Sequence, residues 1–68
     1  MEFVVWVKSK CGIRLAGSVW ENVYSWHRHT VHETEELAIA EMSTLTPTIE
    51  NPSICVRPID DLSLYGAA

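Results

Sequence analysis

Five apolar residues in succession, Phe3 to Val7, place the strongest constraint on how this chain can fold. Phenylalanine, tryptophan and valine favour β-structure, and a run of this length matches one strand and is too short to span a membrane. In a strand, Val4 and Trp6 point to one side, and Phe3, Val5 and Val7 point to the other. Because both sides are apolar, we expect a central strand that is covered on its two faces.

The size of the chain limits what can surround that strand. With 68 residues, we expect a single domain over residues 1–68 with a small core. Such a core cannot enclose a large cofactor, which argues against Rossmann, TIM-barrel and P-loop enzymes. An apolar content of 47% and a net charge of −4 also argue against intrinsic disorder.

The first strand is predicted to end in a turn at Lys10-Cys11-Gly12, because glycine adopts positive φ without steric cost. Ile13–Ala16 then returns as a short strand, so residues 2–16 are expected to form a hairpin.

Residues 17–32 fit two patterns. With a period of two, Trp20, Tyr24 and Trp26 share one face. With a helical period, a stripe follows a capping box at Ser18-x-x-Glu21, and it comprises Val19, Trp20, Val23, Tyr24 and His27. The content of valine, tryptophan, tyrosine and threonine favours a strand, and its length predicts a bend near Glu21-Asn22.

The clearest helix is predicted over residues 34–45, with Thr34 as N-cap and Pro47 beyond its end. Its core-facing arc comprises Ala38, Ile39, Met42 and Leu45. A last strand is expected over Ser53–Ile59, where Pro58 indicates a sheet edge. Residues 60–68 are expected to form a flexible tail, with docking by Leu62, Leu64 and Tyr65.

The fold class is therefore α+β: a small three- to four-stranded, mainly antiparallel sheet, in the order β-β-(β)-α-β, with one helix packed on one face. A single helix covers one face and leaves the other open. Three tryptophans and two tyrosines are many for so short a chain. We expect aromatic residues to form a contiguous patch on the open face, which would mark an interface; the patch comprises Trp6, Trp20, Tyr24 and Trp26.

The candidates for chemistry are few. His27 and His29 would project from one face of a strand, with His32 on the other, and Cys55 could join them as a metal ligand. However, neither a CxxC nor an HxxxH spacing supports a metal site, and no catalytic motif is recognised. We therefore expect a protein that is not an enzyme and uses no cofactor.

The charges are distributed unevenly along the chain. Lys8, Lys10 and Arg14 form a basic cluster near the N-terminus, whereas residues 15–68 carry two basic and eight acidic residues. This balance makes nucleic-acid binding unlikely. With no secretory signal in the N-terminal sequence, we expect a cytoplasmic protein, and therefore free thiols at Cys11 and Cys55.

Three segments carry a resemblance to a known group of proteins. They are the strand Phe3–Lys8, the helix start Thr34–Ala40 and the strand Ile54–Ile59. In this architecture the chain resembles small acidic phage-encoded inhibitors, including anti-CRISPR and other host-takeover proteins. The resemblance implies action in the host cytoplasm by binding a larger protein, not by chemistry.

The sequence thus predicts a non-enzymatic protein-binding module, expected to be a homodimer, that occupies a surface of a larger protein or complex. Tryptophan and tyrosine residues would supply the main contacts and the basic cluster would steer the encounter; the predicted contact residues are Trp6, Trp20, Tyr24, Trp26, Lys8, Lys10 and Arg14. The alternative is a small metal- or nucleic-acid-binding domain that uses His27, His29 and the N-terminal basic residues.

Overall fold

The computed structural model of this chain describes residues 1–64. They form strand β1 (Phe3–Ala16), strand β2 (Val19–His32), helix α1 (Glu35–Ser43) and strand β3 (Ser53–Pro58). The three strands make one antiparallel sheet in the order β2-β1-β3, and the helix packs against it. The predicted α+β class and the central position of the first strand are confirmed.

The core lies where β1 is flanked by both neighbours. Pairing with β3 covers Phe3–Lys8 of β1, and within this stretch Val4 and Val5 are fully buried although they point to opposite faces. The two-sided apolar pattern therefore indicated the correct environment. The buried apolar residues of the described chain are Val4, Val5, Trp6, Val7 and Ala38.

The hairpin turn is not where the sequence predicted it. β1 continues through Lys10-Cys11-Gly12 for 14 residues, and the chain reverses at Gly17-Ser18, between the paired residues Ala16 and Val19. Gly17 has a φ of +65° and Ser18 keeps a negative φ, which is the pattern of a type II′ hairpin turn. Gly12 has no positive φ, so its expected role in a turn was wrong.

Residues 19–32 form a strand, as the composition favoured, and the helical alternative is excluded. The bend expected near Glu21-Asn22 is absent from this described strand, and the irregularities lie elsewhere. The register between β1 and β2 shifts between Lys10 and Gly12, which leaves Cys11 as an extra residue of β1. It shifts again between Val5 and Trp6, which leaves His29 as an extra residue of β2.

Helix α1 begins behind the predicted N-cap. The Leu37 backbone N–H donates to Thr34 Oγ1 at 3.2 Å, and two acidic residues occupy the first turn, where the helix dipole favours them. The helix ends at Ser43, earlier than the predicted residue 45. Ala38 is its buried residue, whereas Ile39 is 44% exposed, because a helix of nine residues on a small sheet covers little surface.

After β3 the chain turns back towards the sheet. The Ile59 backbone N–H donates to the Glu2 carbonyl at 2.9 Å, and the Ser63 backbone N–H donates to Asp61 Oδ1 at 2.9 Å. Leu62 is 68% exposed and so does not dock. Residues 65–68, including Tyr65, lie outside the described residues, and the expected flexibility of the tail stays a prediction.

Candidate protein-binding surface

The sheet has two unlike faces. The helix lies over the face that carries Val5, Val7 and their neighbours on β3; we call it the helix-covered face. The opposite face, which we call the aromatic face, carries three successive cross-strand pairs of one cation and one aromatic ring. These pairs are Trp6 with Arg28, Lys8 with Trp26, and Lys10 with Tyr24.

Two of these pairs have the geometry of cation–π contacts. The Arg28 guanidinium carbon lies 5.8 Å from the centre of the Trp6 ring, and the Lys8 ammonium lies 6.0 Å from the centre of the Trp26 ring. Contacts at this range are attractive because the ring face is electronegative. The alternation of cation and ring on facing strands therefore places Lys8, Lys10 and Arg28 on this face.

Trp6 shares the aromatic face with the other three aromatic residues, as the pattern of alternation implied, but it is only 3% exposed. At the same end of the face Arg57 pairs with Val4, and Asp61 Oδ2 lies 3.8 Å from Arg57 Nε. Trp6 is thus a core residue. The prediction that it forms part of an open contact patch was wrong, because its side chain is buried where β1 is paired on both sides.

The aromatic residues become more exposed along β2 towards the turn. Trp26 and Tyr24 are half-buried, and Trp20 is 64% exposed. Tyr24 Oη donates to the Ile49 carbonyl at 3.4 Å, so its ring is tied towards the loop before β3. Of the predicted contact residues, Trp20 offers the largest free aromatic surface.

The hairpin projects beyond the layer that the helix and β3 complete. We call residues 11–24 the arm; all residues from Cys11 to Trp20 are exposed, and the molecule measures 46 Å along its longest axis but 10 Å in thickness. Large apolar side chains lie at the end of the arm with exposed fractions between 57% and 65%. They are Ile13, Leu15, Val19 and Trp20.

Three of these four apolar residues were missed in the sequence. Ile13, Leu15 and Val19 were interpreted as ordinary strand residues, because a turn at Gly12 would have folded them onto the sheet. The signal that could have found them is Gly17-Ser18, a glycine-first pair suited to a two-residue hairpin turn. With the turn at Gly17-Ser18, β1 and β2 are each 14 residues long. They therefore extend beyond the helix and beyond β3, which pairs only with Phe3–Lys8.

The basic cluster gathers at the base of the arm. A cleft of about 240 Å³ is lined by Lys8, Arg14, Asn22, Val23 and Tyr24. Arg14 also makes an ion pair and hydrogen bond with Glu21, its cross-strand partner. The extra residue at Cys11 places Arg14 on the opposite face from Lys8 by register, and both side chains line this cleft.

Three of the nine acidic residues lie on the other side of the molecule. Glu35, Glu36 and Glu41 belong to α1, which lies on the helix-covered face. Four basic residues belong to the aromatic face by their register; they are Lys8, Lys10, Arg28 and Arg57. The cations of the strands and the glutamates of the helix therefore lie on opposite faces of the sheet, and Asp61 pairs with Arg57 at the edge strand β3.

The three histidines lie on the helix-covered face. His27 and His29 line a cavity of about 160 Å³ together with Leu45 and Asn51, and His29 Nε2 lies 3.5 Å from Glu41 Oε1. His32 pairs with Phe3 on the same face, contrary to the sequence prediction, because the extra residue at His29 reverses the alternation.

The candidate metal ligands do not converge. Cys55 pairs with Trp6 and so lies on the aromatic face, across the sheet from His27 and His29. Within residues 1–64, no group of three or more histidine, cysteine or acidic side chains could hold a metal ion. The register therefore places Cys55 on one face of the sheet and His27 and His29 on the other.

Both cysteines are free thiols in different surroundings. Cys11 is exposed on the arm, and its Sγ lies 3.4 Å from the Val23 carbonyl. Burial raises the pKa of the Cys55 thiol, an effect that Arg57 opposes and Asp61 reinforces. A raised pKa gives less thiolate and thus makes Cys55 a poor nucleophile at neutral pH.

No helix within the described residues is long and apolar enough to cross a membrane. Comparison with models of protein families, with curated proteins and with solved structures found no match to this chain.

Proposed function

We propose that this chain is a non-enzymatic protein-binding module that inhibits or modulates a larger protein by occupying one of its surfaces. The observation that carries the proposal is the arm, whose end presents four large apolar side chains at exposed fractions of 57–65%. By register Ile13, Leu15 and Trp20 share the aromatic face, and Val19 lies on the other face. Contiguous apolar surface of this kind typically marks an interaction site.

The shape of the arm supports the same function. Beyond Lys8, β1 has β2 as its strand partner within the described residues, and a two-stranded ribbon by itself is marginally stable in water. A partner that covers the arm would bury its apolar side chains and stabilise it. Trp20 is suited to the centre of such a contact, because tryptophan is enriched among residues that dominate binding energy.

We also propose that the chain forms a homodimer through β2. β2 is an edge strand of 14 residues, and open edges pair readily with a strand of another chain. Two copies joined along β2 would continue the sheet and bring two arms together. The larger partner would then contact the paired arms.

The proposal is tested with a double variant, Leu15→Ser with Trp20→Ser, and a control variant, Leu62→Ser. Leu62 is 68% exposed and lies off the arm, so the control removes similar apolar surface elsewhere. Light scattering after size-exclusion chromatography gives the mass of each protein, and affinity capture from the native host gives the partner. Circular dichroism checks that all three proteins are folded.

We expect the arm variant to lose the partner, and the dimer if one forms, while the Leu62 variant keeps both. A captured partner that is retained equally by both folded variants would contradict the proposal. So would the absence of both self-association and a specific partner for the unsubstituted protein.

The alternative function predicted from the sequence is a small metal- or nucleic-acid-binding domain, and the register of the sheet bears on its metal-binding form. Its metal-binding form loses Cys55 as a ligand, since that residue lies on the opposite face from both histidines. Its nucleic-acid form stays a prediction. It is tested below against an acidic protein partner.

A further inference from the structure

The cleft at the base of the arm is lined by basic and polar side chains, whereas the proposed function depends on the apolar end of the arm. Lys8 and Arg14 line it together with Asn22, Val23 and Tyr24, and Arg14 also pairs with Glu21. Two cations with neutral hydrogen-bonding groups between them are the set that binds carboxylates in proteins. We propose that this cleft binds acidic side chains from an extended segment of the partner protein, an inference that rests on the proposed function and specifies its partner.

Positions along β1 favour an extended segment. Lys8 and Lys10 both pair across to β2 on the aromatic face, and residues two apart in a strand lie about 7 Å from each other. Alternate residues of an extended peptide repeat at the same distance. A segment with acidic residues at every second position would therefore place one carboxylate at the cleft and the next beside Lys10.

The distribution of charge would orient an acidic segment as it approaches the protein. The aromatic face carries four of the five basic residues by register, while the glutamates of α1 lie on the opposite side. An acidic segment is thus attracted to one side of the molecule and repelled from the other. Such an arrangement raises association rates and fixes orientation.

Single-stranded nucleic acid fits this surface less well. Base recognition on a sheet relies on aromatic rings whose faces are open for stacking. Lys8 lies over the Trp26 ring and Arg28 over the Trp6 ring, and Trp6 is 3% exposed. Carboxylates can bind the cations from outside without displacing them from the rings.

The test measures binding of a short fluorescent peptide of alternating glutamate and serine by fluorescence anisotropy, over a range of ionic strength. A peptide with glutamine in place of glutamate and an oligothymidylate of equal charge are the comparison probes. Two arginines provide a matched pair of variants. Arg14 lines the cleft and Arg57 does not. Each arginine is ion-paired with one acidic residue, so Arg14→Gln and Arg57→Gln remove the same kind of interaction.

We expect the acidic peptide to bind and the glutamine peptide to bind far more weakly, with affinity falling as salt is added. Arg14→Gln and Lys8→Gln are each expected to weaken binding by about threefold, and their combination by about tenfold. Arg57→Gln, with the same loss of charge, is expected to change affinity by less than about twofold.

Three results would overturn the inference. One is equal loss of affinity in Arg14→Gln and Arg57→Gln, which would show a diffuse charge effect without a cleft. Another is tighter binding of the oligothymidylate with the same dependence on Lys8 and Arg14, which would assign the cleft to nucleic acid. The third is binding of the acidic peptide that does not respond to the cleft variants.

Failure of this inference is distinguishable from failure of the proposed function. If a native partner is captured by the Lys8→Gln, Arg14→Gln protein but not by the Leu15→Ser, Trp20→Ser protein, the arm binds a protein and the cleft does not select its charge. If both variants lose the partner, the two surfaces act together.

Discussion

Leu15 and Trp20 are direct cross-strand partners one pair away from the hairpin turn, and they are 57% and 64% exposed. Residues in this position normally stabilise a sheet through contact with each other. Here the pair has no layer above it within the described residues, so most of its apolar surface faces solvent. The pair therefore contributes more to what the molecule can bind than to how it folds.

This relationship predicts a separation of stability from binding. Trp20→Ala should lower the free energy of unfolding by about 1 kcal/mol or less, since it removes little more than one cross-strand contact. Val5→Ala, at a fully buried position, should cost about 2–3 kcal/mol through lost burial and the cavity it leaves. Chemical denaturation of both variants checks this. Equal costs would mean that the arm is packed as tightly as the core.

The two glycines of the hairpin should respond in opposite ways to alanine. Gly17 has a φ of +65°, a region that costs other residues about 1–2 kcal/mol, so Gly17→Ala should be destabilising by about that amount. Gly12 has no positive φ, and a Cβ built there meets no atom within 4 Å. Gly12→Ala should be neutral or stabilising by about 0.5 kcal/mol. Thermal unfolding of the pair measures the difference, and a larger loss at Gly12 would contradict the position of the turn.

The two thiols should differ in reactivity. Because burial raises the pKa of Cys55, it carries less thiolate at mildly alkaline pH and should be alkylated by iodoacetamide more slowly than the exposed Cys11. Peptide mapping by mass spectrometry follows both rates. In denaturant the rates should converge; if Cys55 reacts first in the folded protein, β3 opens readily.

Acid should weaken the contact that follows β3. Hydrogen bonding from Ser63, first from its backbone N–H and then from its side chain, holds the pKa of Asp61 below its usual value; desolvation opposes this effect and the charge of Arg57 adds to it. A carboxyl whose folded pKa is depressed contributes stability above its unfolded pKa, and this contribution disappears as the pH falls through the folded pKa.

Asp61→Asn should therefore flatten the dependence of unfolding free energy on pH in the acid range, at and below about pH 4. Urea denaturation at a series of pH values measures this dependence. Asp60→Asn removes the same charge one residue earlier and controls for net charge. An identical pH dependence in Asp61→Asn and the unsubstituted protein would show that the contact with Ser63 does not form in solution.

Residue preferences within a few positions predicted the central strand, the start of the helix and the edge strand. The apolar run Phe3–Val7 identified the central strand, because residues apolar on both sides need cover on both faces. Thr34 identified the start of the helix, since its hydroxyl satisfies a backbone N–H there. Pro58 identified a strand at the sheet edge, where a missing N–H does no harm.

The candidate site could be predicted only in part. Trp20, Tyr24 and Trp26 were correctly assigned to one face, because alternation holds along that stretch of β2. Trp6 was assigned to the open part of that face, yet its side chain is buried, because β1 is flanked by both neighbouring strands at this position. The sequence showed Lys8 and Arg14 as part of a basic cluster, and it did not indicate that they line a cleft.

By itself, then, the sequence determined the types and order of the elements, from residue preferences that act over a few positions. The tertiary structure decided where the hairpin turns, which side of the sheet His32 and Cys55 occupy, and how far the arm projects. The physical reason is that side-chain direction in a strand repeats every two residues, so the extra residue at His29 reverses the side of His32. The side of Cys55 is set by its pairing with Trp6 across strands that are distant in sequence.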